Sequence, residues 1–365
     1  MPPKQPSWSE ADKRFMEMAF AEARKVKGKT LPNPPVGAVV VKGGQVLGKG
    51  GTRAAGQAHA EIVALEKAGA KAKGATLYVT LEPCCHFGKT PPCTEAVIAA
   101  GIRRVVVAVR DSNPLVGGKG LKQLRAAGIE VGEGLAGEEG RDFYQGFFFR
   151  IAHDRPEIFL KIAQSMDGRI NAMPGVQTAL TGKKAQVFTH LLRSQVDAVM
   201  IGGRTLRVDD PDLTPRLNPK ASGPGPEAVI LSRKGPYPQG SKVFAQERKA
   251  KTVVLAEAWG GLPDWVEKWE ARGDAKATLE AILSCFRDRG YHSVLIEGGR
   301  EVWSLFLNAG LWDHLYVITA PVVYPEGERW DANLSKHWGK SLKFRKFSSL
   351  GDDYLAEFGQ TDSFG

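Results

Sequence analysis

The chain has 365 residues, of which 42% are hydrophobic and 25% are charged, and its formal net charge is +10. This length exceeds one ordinary hydrophobic core and suits two domains of about 100 to 200 residues each. With four cysteines, no secretory h-region and no run of eighteen apolar residues, the sequence argues against a secreted disulfide-rich protein and a membrane protein, and it predicts a cytoplasmic location.

The first 132 residues are predicted to form a helix, a hairpin and then alternating helices and strands. Ser9 and Asp12 suit the N-terminal cap of the first helix. Gly43 and Gly44 join two short strands, at 36–41 and 45–48, in a hairpin. The alternation that follows implies right-handed crossovers and a largely parallel sheet. Its helices are expected at 59–68, 93–100 and 120–127, and its strands at 75–81, 103–109 and 129–132.

Two segments of this alternation carry residues suited to a catalytic zinc ion. His59 opens one helix, Cys93 opens the next, and Cys84 precedes Cys93 in the intervening loop. A zinc ion that activates water needs three protein ligands and one open position, and a histidine with two thiolates supplies those three. Helix N-termini favour thiolates and bound anions through their dipoles. We therefore predict zinc that lowers the pKa of its water toward about 7.

Glu61 is predicted to be the proton shuttle of this site. It stands two residues after His59 and is not itself a ligand. The carboxylate would take a proton from water and pass it to a ring nitrogen and then to departing ammonia. The order H-x-E, P-C and C is the layout of the zinc nucleobase deaminases. The alternative for Glu61 is an exposed helical carboxylate.

The cysteines have other conceivable uses. A closed zinc knuckle wants four ligands, usually in two close pairs, whereas Cys84 and Cys93 are spread as C-x8-C. A disulfide is disfavoured in a reducing compartment. Cys85 and His86 stand beside Cys84, and spacing excludes neither as a substitute ligand. Cys285, in an apolar helical run at 279–286, is predicted to be a core residue.

The positive charge is concentrated around the zinc motif. Residues 1–152 hold 22 Lys and Arg against 14 Asp and Glu, and residues 153–365 hold 28 against 26. A basic domain favours an anionic substrate, either a phosphorylated small molecule or a nucleic acid. Charge alone does not choose between them.

A charged connection from His153 to Pro156 is predicted to separate two domains, 1–152 and 153–365. A second α/β alternation follows it. Its strands are expected at 158–163, 198–201, 293–296 and 315–319 and near Val229 and Val253, and its helices at 183–194, 278–288 and 301–309.

The junction at 294–300 is the sharpest signal of the second half. A strand ends in Gly298 and Gly299 and runs into a helix, so backbone amides and the helix dipole can meet a phosphate there. No G-x-G-x-x-G motif follows an early strand, which argues against an ordinary Rossmann dinucleotide-binding unit.

Motifs along nearly the whole chain resemble the bifunctional pyrimidine deaminase/reductase family of riboflavin biosynthesis. In the first half they are PNPPVG at 32–37, HAE at 59–61, TLEPC at 80–84, GKTPPC at 88–93 and SNP at 112–114. In the second half they are LKIA at 160–163, SMDG at 165–168, GRT at 203–205, DDP at 209–211, LT at 213–214, Arg216 and EGG at 297–299. The long insert between the two cysteines distinguishes this family from deaminases of tRNA or free cytidine, which typically have C-x2-C there.

For the first domain, the resemblance implies a cytidine-deaminase-like three-layer α/β fold with one zinc ion. Residues that match Asn33 and Lys89 help to hold the substrate's ring or ribose phosphate in the family, and a lysine suits a phosphate. The alternatives are a turn residue for Asn33 and a solvated loop charge for Lys89. The chain departs from the family at Thr52, usually histidine, and at Ala58, usually proline, and an effect on substrate affinity is expected.

For the second domain, the resemblance implies a dihydrofolate-reductase-like α/β fold that uses NADPH. The residues implied to face the cofactor are Ala163, Thr205, Asp209, Ser232, Gly299, Arg300, Glu301, Val302, Trp303, Ser304 and Leu305. Those implied to face the phosphoribosyl substrate are Lys161, Arg193, Leu213, Arg216 and Glu297. Arginines suit the phosphate through bidentate hydrogen bonds, and the alternative for Arg193 and Arg216 is a surface charge.

The second domain departs further from the family than the first. Gln177 and Ala179 stand where the family has a substrate-side serine and a cofactor-side tryptophan, and residues 322–325 replace a leucine-rich stretch. Loss of an aromatic wall removes on the order of 1 kcal/mol of cofactor binding. These departures leave open a degenerate reductase domain that serves only as scaffold.

The sequence thus predicts a two-domain enzyme of flavin precursor synthesis. The first domain would deaminate 2,5-diamino-6-ribosylamino-4(3H)-pyrimidinone 5′-phosphate by zinc-dependent hydrolysis, and the second would reduce the ribosyl group to a ribityl chain with NADPH. The expected partners are this small phosphorylated substrate and further copies of the chain, as a dimer or tetramer, and neither nucleic acid nor membrane. A less favoured alternative is an RNA-binding or RNA-editing deaminase, although aromatic-rich strands and basic runs are lacking.

Overall fold

The computed structural model describes residues 8–218, 225–233, 235–238, 240–245, 251–334 and 342–360. The chain divides into two compact units, Met1–Asp154 and Arg155–Gly365. This division falls two residues after the predicted boundary at 152. Across the described ranges, every helix is too short or too polar to span a membrane.

The first unit is a five-stranded sheet with helices packed against it. The helices are α1 (Glu10–Val26), α2 (Ala60–Ala68), α3 (Cys93–Ala99), α4 (Lys119–Ala126) and α5 (Gly137–His153). The strands are β1 (Gly37–Lys42), β2 (Gln45–Gly51), β3 (Thr76–Leu81), β4 (Arg104–Val109) and β5 (Glu130–Glu133), in the order β2-β1-β3-β4-β5. Strands β3 to β5 are parallel, as predicted, whereas β1 pairs antiparallel with both β2 and β3.

Both faces of this sheet are covered. Successive strand residues point to opposite faces, so Ala38 and Val40 pack in a cluster with residues of α2, α3 and α4, while Val39 and Val41 pack with residues of α1. A sheet buried on both faces by helices is a three-layer architecture. The predicted three-layer fold of the first domain is therefore confirmed.

Helix α5 is absent from the sequence prediction, which the structure corrects here. The charged connection is expected to begin at His153, but His153 is the last residue of α5, and Asp154 is its C-cap residue with a φ of 53°. The aromatic residues of this segment explain the helix. Tyr144 and Phe147 are buried in the cluster beneath α2, α3 and α4, because a spacing of three places them on one helical face.

Within the ranges that the structure describes, the second unit is built on a nine-stranded sheet. Its order is β10-β9-β8-β7-β11-β6-β12-β14-β13, in which β10 through β12 are parallel neighbours and β14 and β13 add antiparallel. The strands are β6 (Glu157–Ser165), β7 (Ala198–Gly202), β8 (Glu227–Leu231), β9 (Thr252–Ala256), β10 (Glu267–Glu270), β11 (Ser293–Gly298), β12 (His314–Ala320), β13 (Lys343–Leu350) and β14 (Asp353–Gly359). The helices are α6 (Lys183–Gln195), α7 (Gly203–Asp209), α8 (Ala275–Arg289) and α9 (Arg300–Ala309).

The sequence prediction missed α7, β10, β13 and β14. Helix α7 has seven residues and β10 has four, which is too short for a periodic pattern to emerge. Strand β13 is largely exposed and carries three cations, so its apolar residues do not alternate cleanly. The central strands β7 and β9 are buried at every residue, which is typical of parallel strands covered on both faces.

Candidate active sites

The predicted zinc ligands come together at the starts of two helices. His59 is the N-cap residue of α2, Cys93 is the first residue of α3, and Cys84 lies in the loop that follows β3. Among the residues that the structure describes, these three side chains are the histidine, cysteine or acidic residues close enough together to bind one metal ion. Their ligand atoms all lie within 4.8 Å of one another.

The distances within this group fit zinc. His59 Nδ1 is 3.6 Å from Cys84 Sγ and 3.3 Å from Cys93 Sγ. Zinc bonds of about 2.3 Å to sulfur and about 2.0 Å to nitrogen, at a tetrahedral angle, place such atoms about 3.6 Å apart. Because the group has three members, a tetrahedral ion would keep one position for water or substrate. This arrangement agrees with the predicted open site and not with a closed knuckle.

The electrostatics of the two sulfurs also favour a cation. The hydrogen bonds from the Cys93 side chain and from His59 lower the pKa of the Cys84 thiol to about 4. The pairing with Cys84, followed by burial, raises the pKa of the Cys93 thiol well above its usual range. A second thiolate beside the first is unfavourable without a compensating positive charge. The donor set therefore fits a divalent zinc ion.

Glu61 is buried next to these ligands. Glu61 is only 3% exposed, so the alternative interpretation, an exposed helical carboxylate, is wrong. Burial, reinforced by the negative charge of Cys84, raises the pKa of the Glu61 carboxyl to about 7, and Glu61 is hydrogen-bonded to the Cys93 side chain. A carboxyl group in this position is suited to exchanging protons beside the metal.

Neither neighbour of Cys84 joins the group. Cys85 Sγ points to the backbone oxygen of Leu115, at 3.8 Å. His86 has a buried Nδ1 with no partner among the described residues, and it is absent from the metal-ligating set. The suggestion that either residue replaces a ligand is thus not supported. Cys285 is fully buried in α8, as predicted for a core residue.

The predicted substrate residues of this unit lie in loops. Asn33 is half-buried in the turn between α1 and β1, and its N–H donates to the Thr30 oxygen at 2.9 Å. Lys89 is exposed in the loop between the two cysteine ligands. Its Cδ is 3.9 Å from the point where a Cβ on Gly56 would stand, so its chain passes the loop that precedes His59. Substrate contact by Asn33 and Lys89 stays a prediction.

The two family departures lie in that same loop. Thr52 is buried and its N–H donates to the Val36 oxygen at 2.9 Å. Ala58 accepts a hydrogen bond from the Arg53 N–H, also at 2.9 Å. Both residues therefore hold the loop through their backbones, and an effect of these departures on substrate affinity stays a prediction.

Glu82 is a residue of this site that the sequence reasoning missed. It is buried, and its carboxylate accepts from the backbone N–H groups of Gly118 at 2.9 Å, Leu121 at 3.2 Å and Asp111 at 3.3 Å. A Cβ on Gly120 would stand 2.3 Å from the Pro83 oxygen, so α4 starts directly against this loop. Glu82 thus fixes the segment that presents Cys84, two residues later.

Replacing Glu82 by glutamine is expected to loosen the metal loop. One carboxylate oxygen becomes an NH2 group that faces backbone donors, which leaves buried polar groups unsatisfied at a cost of about 1 to 3 kcal/mol. We expect a lower melting temperature and faster loss of zinc to a chelator, measured by calorimetry and a colorimetric zinc indicator. Glu95→Gln, an exposed neighbour on α3, is the matched control. Zinc retention equal to wild type would show that Glu82 does not position the loop.

The second unit contains a cavity of about 1130 Å³ at the C-terminal edge of its parallel strands. Its wall includes the ends of β6, β7, β8 and β11 and residues of α6 to α9. Every residue implied to face the cofactor lines this cavity, as do all those implied to face the substrate except Leu213. Ligands of open α/β sheets bind at this edge.

Leu213 is placed differently from the implied role. Its side chain is 1% exposed and packs in the core cluster of α6, β7 and β8. Its backbone has a φ of 62°, which is uncommon for a residue with a side chain. Any contact of Leu213 with a substrate would thus come from its backbone.

The two glycines at the end of β11 shape the cavity. Gly299 is the N-cap residue of α9 and has a φ of 94°, a conformation that favours glycine. A Cβ on Gly298 would stand 2.9 Å from Thr205 Cγ2, so only glycine allows β11 and α7 to approach this closely. The first turn of α9 therefore lines the cavity, where its backbone N–H groups can meet a phosphate.

Arg193 forms an ion pair with Glu297 within the cavity wall. Its Nε and Nη2 donate to the two Glu297 carboxylate oxygens at 2.6 and 2.7 Å, and its Nη1 donates to the Thr214 oxygen at 3.3 Å. Although burial alone would raise it, this pairing lowers the pKa of the Glu297 carboxyl. The structure therefore corrects the prediction that Arg193 forms bidentate hydrogen bonds to a substrate phosphate, because those donors already bond to Glu297.

Arg216 has more freedom to meet a phosphate. It is exposed, and among the described residues its hydrogen-bonded ion pair is with Asp212, at 3.3 Å. His190, which the sequence reasoning missed, lines the same wall one helical turn before Arg193. Burial, followed by the charges of Arg193 and Arg216, lowers the pKa of His190 to about 4. His190 is therefore a neutral imidazole within reach of the charges of both arginines.

Unsatisfied buried donors mark the cofactor side of the cavity. Trp303 Nε1, Ser304 Oγ and Thr278 Oγ1 have no hydrogen-bond partner among the described residues, and each residue is 5% exposed and lines the cavity. Buried polar groups are rarely left unpaired in native proteins, which suggests that a polar ligand completes them. Thr278, on α8, belongs to no sequence motif. These residues fit the phosphates and hydroxyls of a dinucleotide such as NADPH.

The departures at Gln177 and Ala179 also lie in the cavity wall. Gln177 Nε2 donates to the Asp209 backbone oxygen at 3.1 Å, so this side chain ties its segment to the end of α7. Ala179 lines the same wall and lacks the ring of the family's tryptophan. The cavity itself is preserved, which argues against a degenerate reductase domain.

Comparison with known families covers both units. The family described as "Cytidine and deoxycytidylate deaminase zinc-binding region" matches residues 9–109, and that described as "RibD C-terminal domain" matches residues 156–355. "Riboflavin biosynthesis protein RibD" of Aquifex aeolicus is 41% identical over 96% of this chain and 98% of its own length. The protein of the same name from Escherichia coli is 36% identical over 85% of this chain and 88% of its own.

Two solved structures are similar to nearly the whole chain. Acinetobacter baumannii RibD is 35% identical, with a TM-score of 0.75 and coverage of 97% of this chain and 99% of that one. A diaminohydroxyphosphoribosylaminopyrimidine deaminase/5-amino-6-(5-phosphoribosylamino)uracil reductase from Thermotoga maritima is 36% identical, with a TM-score of 0.75 and coverage of 96% and 98%. The chain therefore belongs to the RibD family of bifunctional deaminase and reductase enzymes of riboflavin biosynthesis.

Proposed function

We propose two functional domains, 1–152 and 153–365. The first deaminates 2,5-diamino-6-ribosylamino-4(3H)-pyrimidinone 5′-phosphate, and the second reduces the ribosyl group of the product. The observation that carries the first half is the convergence of His59, Cys84 and Cys93 beside buried Glu61. These three residues would hold zinc. When bound, zinc supplies the Lewis acidity that makes water nucleophilic at neutral pH.

Glu61 handles the protons of the hydrolysis. Its carboxylate accepts a proton from the attacking water and passes it to the adjacent ring nitrogen. It then takes the second proton, from the hydroxyl group now on the ring carbon, and delivers it to the leaving amine. The C–N bond to the exocyclic amine breaks, a carbonyl forms and ammonia leaves. Asn33 and Lys89 are proposed to orient the ring and its ribose phosphate, since Lys89 is an exposed cation in the loop between the two cysteine ligands.

Reduction takes place in the cavity of the second unit. NADPH, when bound, supplies a hydride. Reduction of the opened ribose, an imine at C1, adds hydride to carbon and a proton to nitrogen. Lys161 lines the cavity beside Glu297, and burial lowers the pKa of its ammonium group, which makes it a better proton donor. We assign that donation to Lys161 and the anchoring of the substrate phosphate to Arg216.

Two finer predictions accompany this function. A cytoplasmic location and a homo-oligomer, dimer or tetramer, stay predictions. The RNA-binding alternative rests on the basic charge alone, and it predicts affinity that falls steeply with salt and survives competition by ribose phosphates.

Both activities are expected from the purified, zinc-loaded protein. One ammonia should be released for each pyrimidine substrate, and one NADPH oxidised for each deaminated product, measured by an ammonia-coupled assay and by absorbance at the nicotinamide band. Omission of NADPH should stop the reaction at the deaminated product. Intact deamination without any NADPH oxidation would instead support a scaffold role for the second unit.

A further inference from the structure

The cofactor side of the cavity is lined by four arginines, and three of them are engaged by neighbours. Arg204 donates to Glu328 at 2.9 Å, and Arg300 lies 3.7 Å from the same carboxylate. Arg233 donates to the Gly273 oxygen at 3.1 Å. Arg207, by contrast, has no hydrogen bond or ion pair with any residue that the structure describes, although it lines the cavity.

Arg207 stands next to Ser232. The point where a Cβ on Gly203 would stand is 2.2 Å from Ser232 Oγ and 3.2 Å from Arg207 Nη1. A hydroxyl group and a guanidinium group therefore meet at the first residue of α7. Ser232 is 5% exposed, whereas Arg207 is exposed to the cavity, so a buried polar group and an accessible cation face one place. This combination suits a phosphate.

The order of the strands indicates which phosphate of the dinucleotide would lie near Arg207 and Ser232. Strands β6, β11, β7 and β8 are consecutive neighbours. Gly299 follows β11, Ala163 lies on β6 and Ser232 follows β8. A dinucleotide with its pyrophosphate at the start of α9 and its nicotinamide toward Ala163 extends its adenosine toward β8. Two strand spacings, about 10 Å, separate that pyrophosphate from Ser232, which matches the reach of an adenosine ribose.

We infer that Arg207, together with Ser232, binds the 2′-phosphate of NADPH and makes the reductase prefer NADPH to NADH. The inference rests on the proposed function, in which this cavity binds the dinucleotide. NADH carries a hydroxyl group at the 2′ position and gains little from a cation there. A dianionic phosphate gains a charge-assisted hydrogen bond.

The test compares 2′,5′-ADP with 5′-AMP, two fragments that differ by this phosphate, and measures dissociation constants by calorimetry. Wild type is expected to bind 2′,5′-ADP more tightly. Arg207→Ala should weaken 2′,5′-ADP about tenfold or more and change 5′-AMP less than about twofold. Arg207→Lys should keep part of the preference, because it keeps the charge and loses the planar fork.

Arg233→Ala is the matched control, since Arg233 follows Ser232 but already has the Gly273 oxygen as a partner. An unchanged preference in Arg207→Ala, or a loss in Arg233→Ala alone, would overturn the assignment. If wild type bound neither fragment, the proposed cofactor site would itself be contradicted, and the assignment with it. Thermal unfolding of each variant shows whether the domain stays folded.

Discussion

Glu61→Gln is expected to abolish ammonia release while zinc stays bound. The substitution keeps the shape of the side chain and removes its capacity to take a proton from water, and a positioned general base contributes about 10² to 10⁴ in rate. Loss of the charge should not unfold the protein, because Glu61 is 3% exposed and a buried carboxylate is costly to keep ionised. The measurements are ammonia release and zinc content of the purified variant.

The chain provides two controls for this variant. Glu66→Gln changes an exposed glutamate on the same helix, α2, and should keep the wild-type rate. Reduction of the deaminated substrate reports whether the rest of the chain is intact. A Glu61→Gln protein with zinc and most of its deaminase rate would rule out the shuttle, and one without zinc would make Glu61 a structural partner of the ligands.

The zinc site was the part of the molecule most accessible from sequence, because its chemistry is local. His59 and Glu61 share the first turn of one helix, and Cys93 starts the next, so the motif fixes their relative placement. The cap of α1 was predictable for the same reason. Ser9 and Asp12 form reciprocal hydrogen bonds of 3.1 Å within one turn.

Long-range partners were not accessible in this way. The carboxylate of Glu82 reaches backbone groups 29 to 39 positions away, and Arg193 pairs with Glu297 across 104 positions. Periodicity gives the face that a residue occupies but not its neighbour on another element. For this reason the sequence predicts a phosphate contact for Arg193 and a substrate contact for Leu213, whereas the structure places the Arg193 side chain in an ion pair and the Leu213 side chain in the core.

Arg193→Met is expected to destabilise the second unit and to remove reductase activity. The Arg193 and Glu297 side chains are 10% and 8% exposed, so the variant leaves a buried carboxylate with Lys161 as its remaining neighbouring cation. Breaking a buried pair by removal of one partner costs about 3 to 5 kcal/mol. We expect the melting temperature of this unit to fall by about 10 °C. NADPH oxidation should fall about 100-fold as Glu297 and Lys161 lose their orientation.

The double variant Arg193→Met/Glu297→Leu separates stability from chemistry. Apolar replacement of both members of a buried pair is often neutral, so most of the lost stability should return while reductase activity stays absent. Arg289→Met is the matched control, because Arg289 pairs with Glu227 in the same unit and neither residue lines the cavity. It should lower the melting temperature and leave NADPH oxidation near wild type below that temperature. Recovery of reductase activity in the double variant would mean that the pair serves folding alone, and equal inactivation by Arg289→Met would mean that any loss of stability disables the cavity.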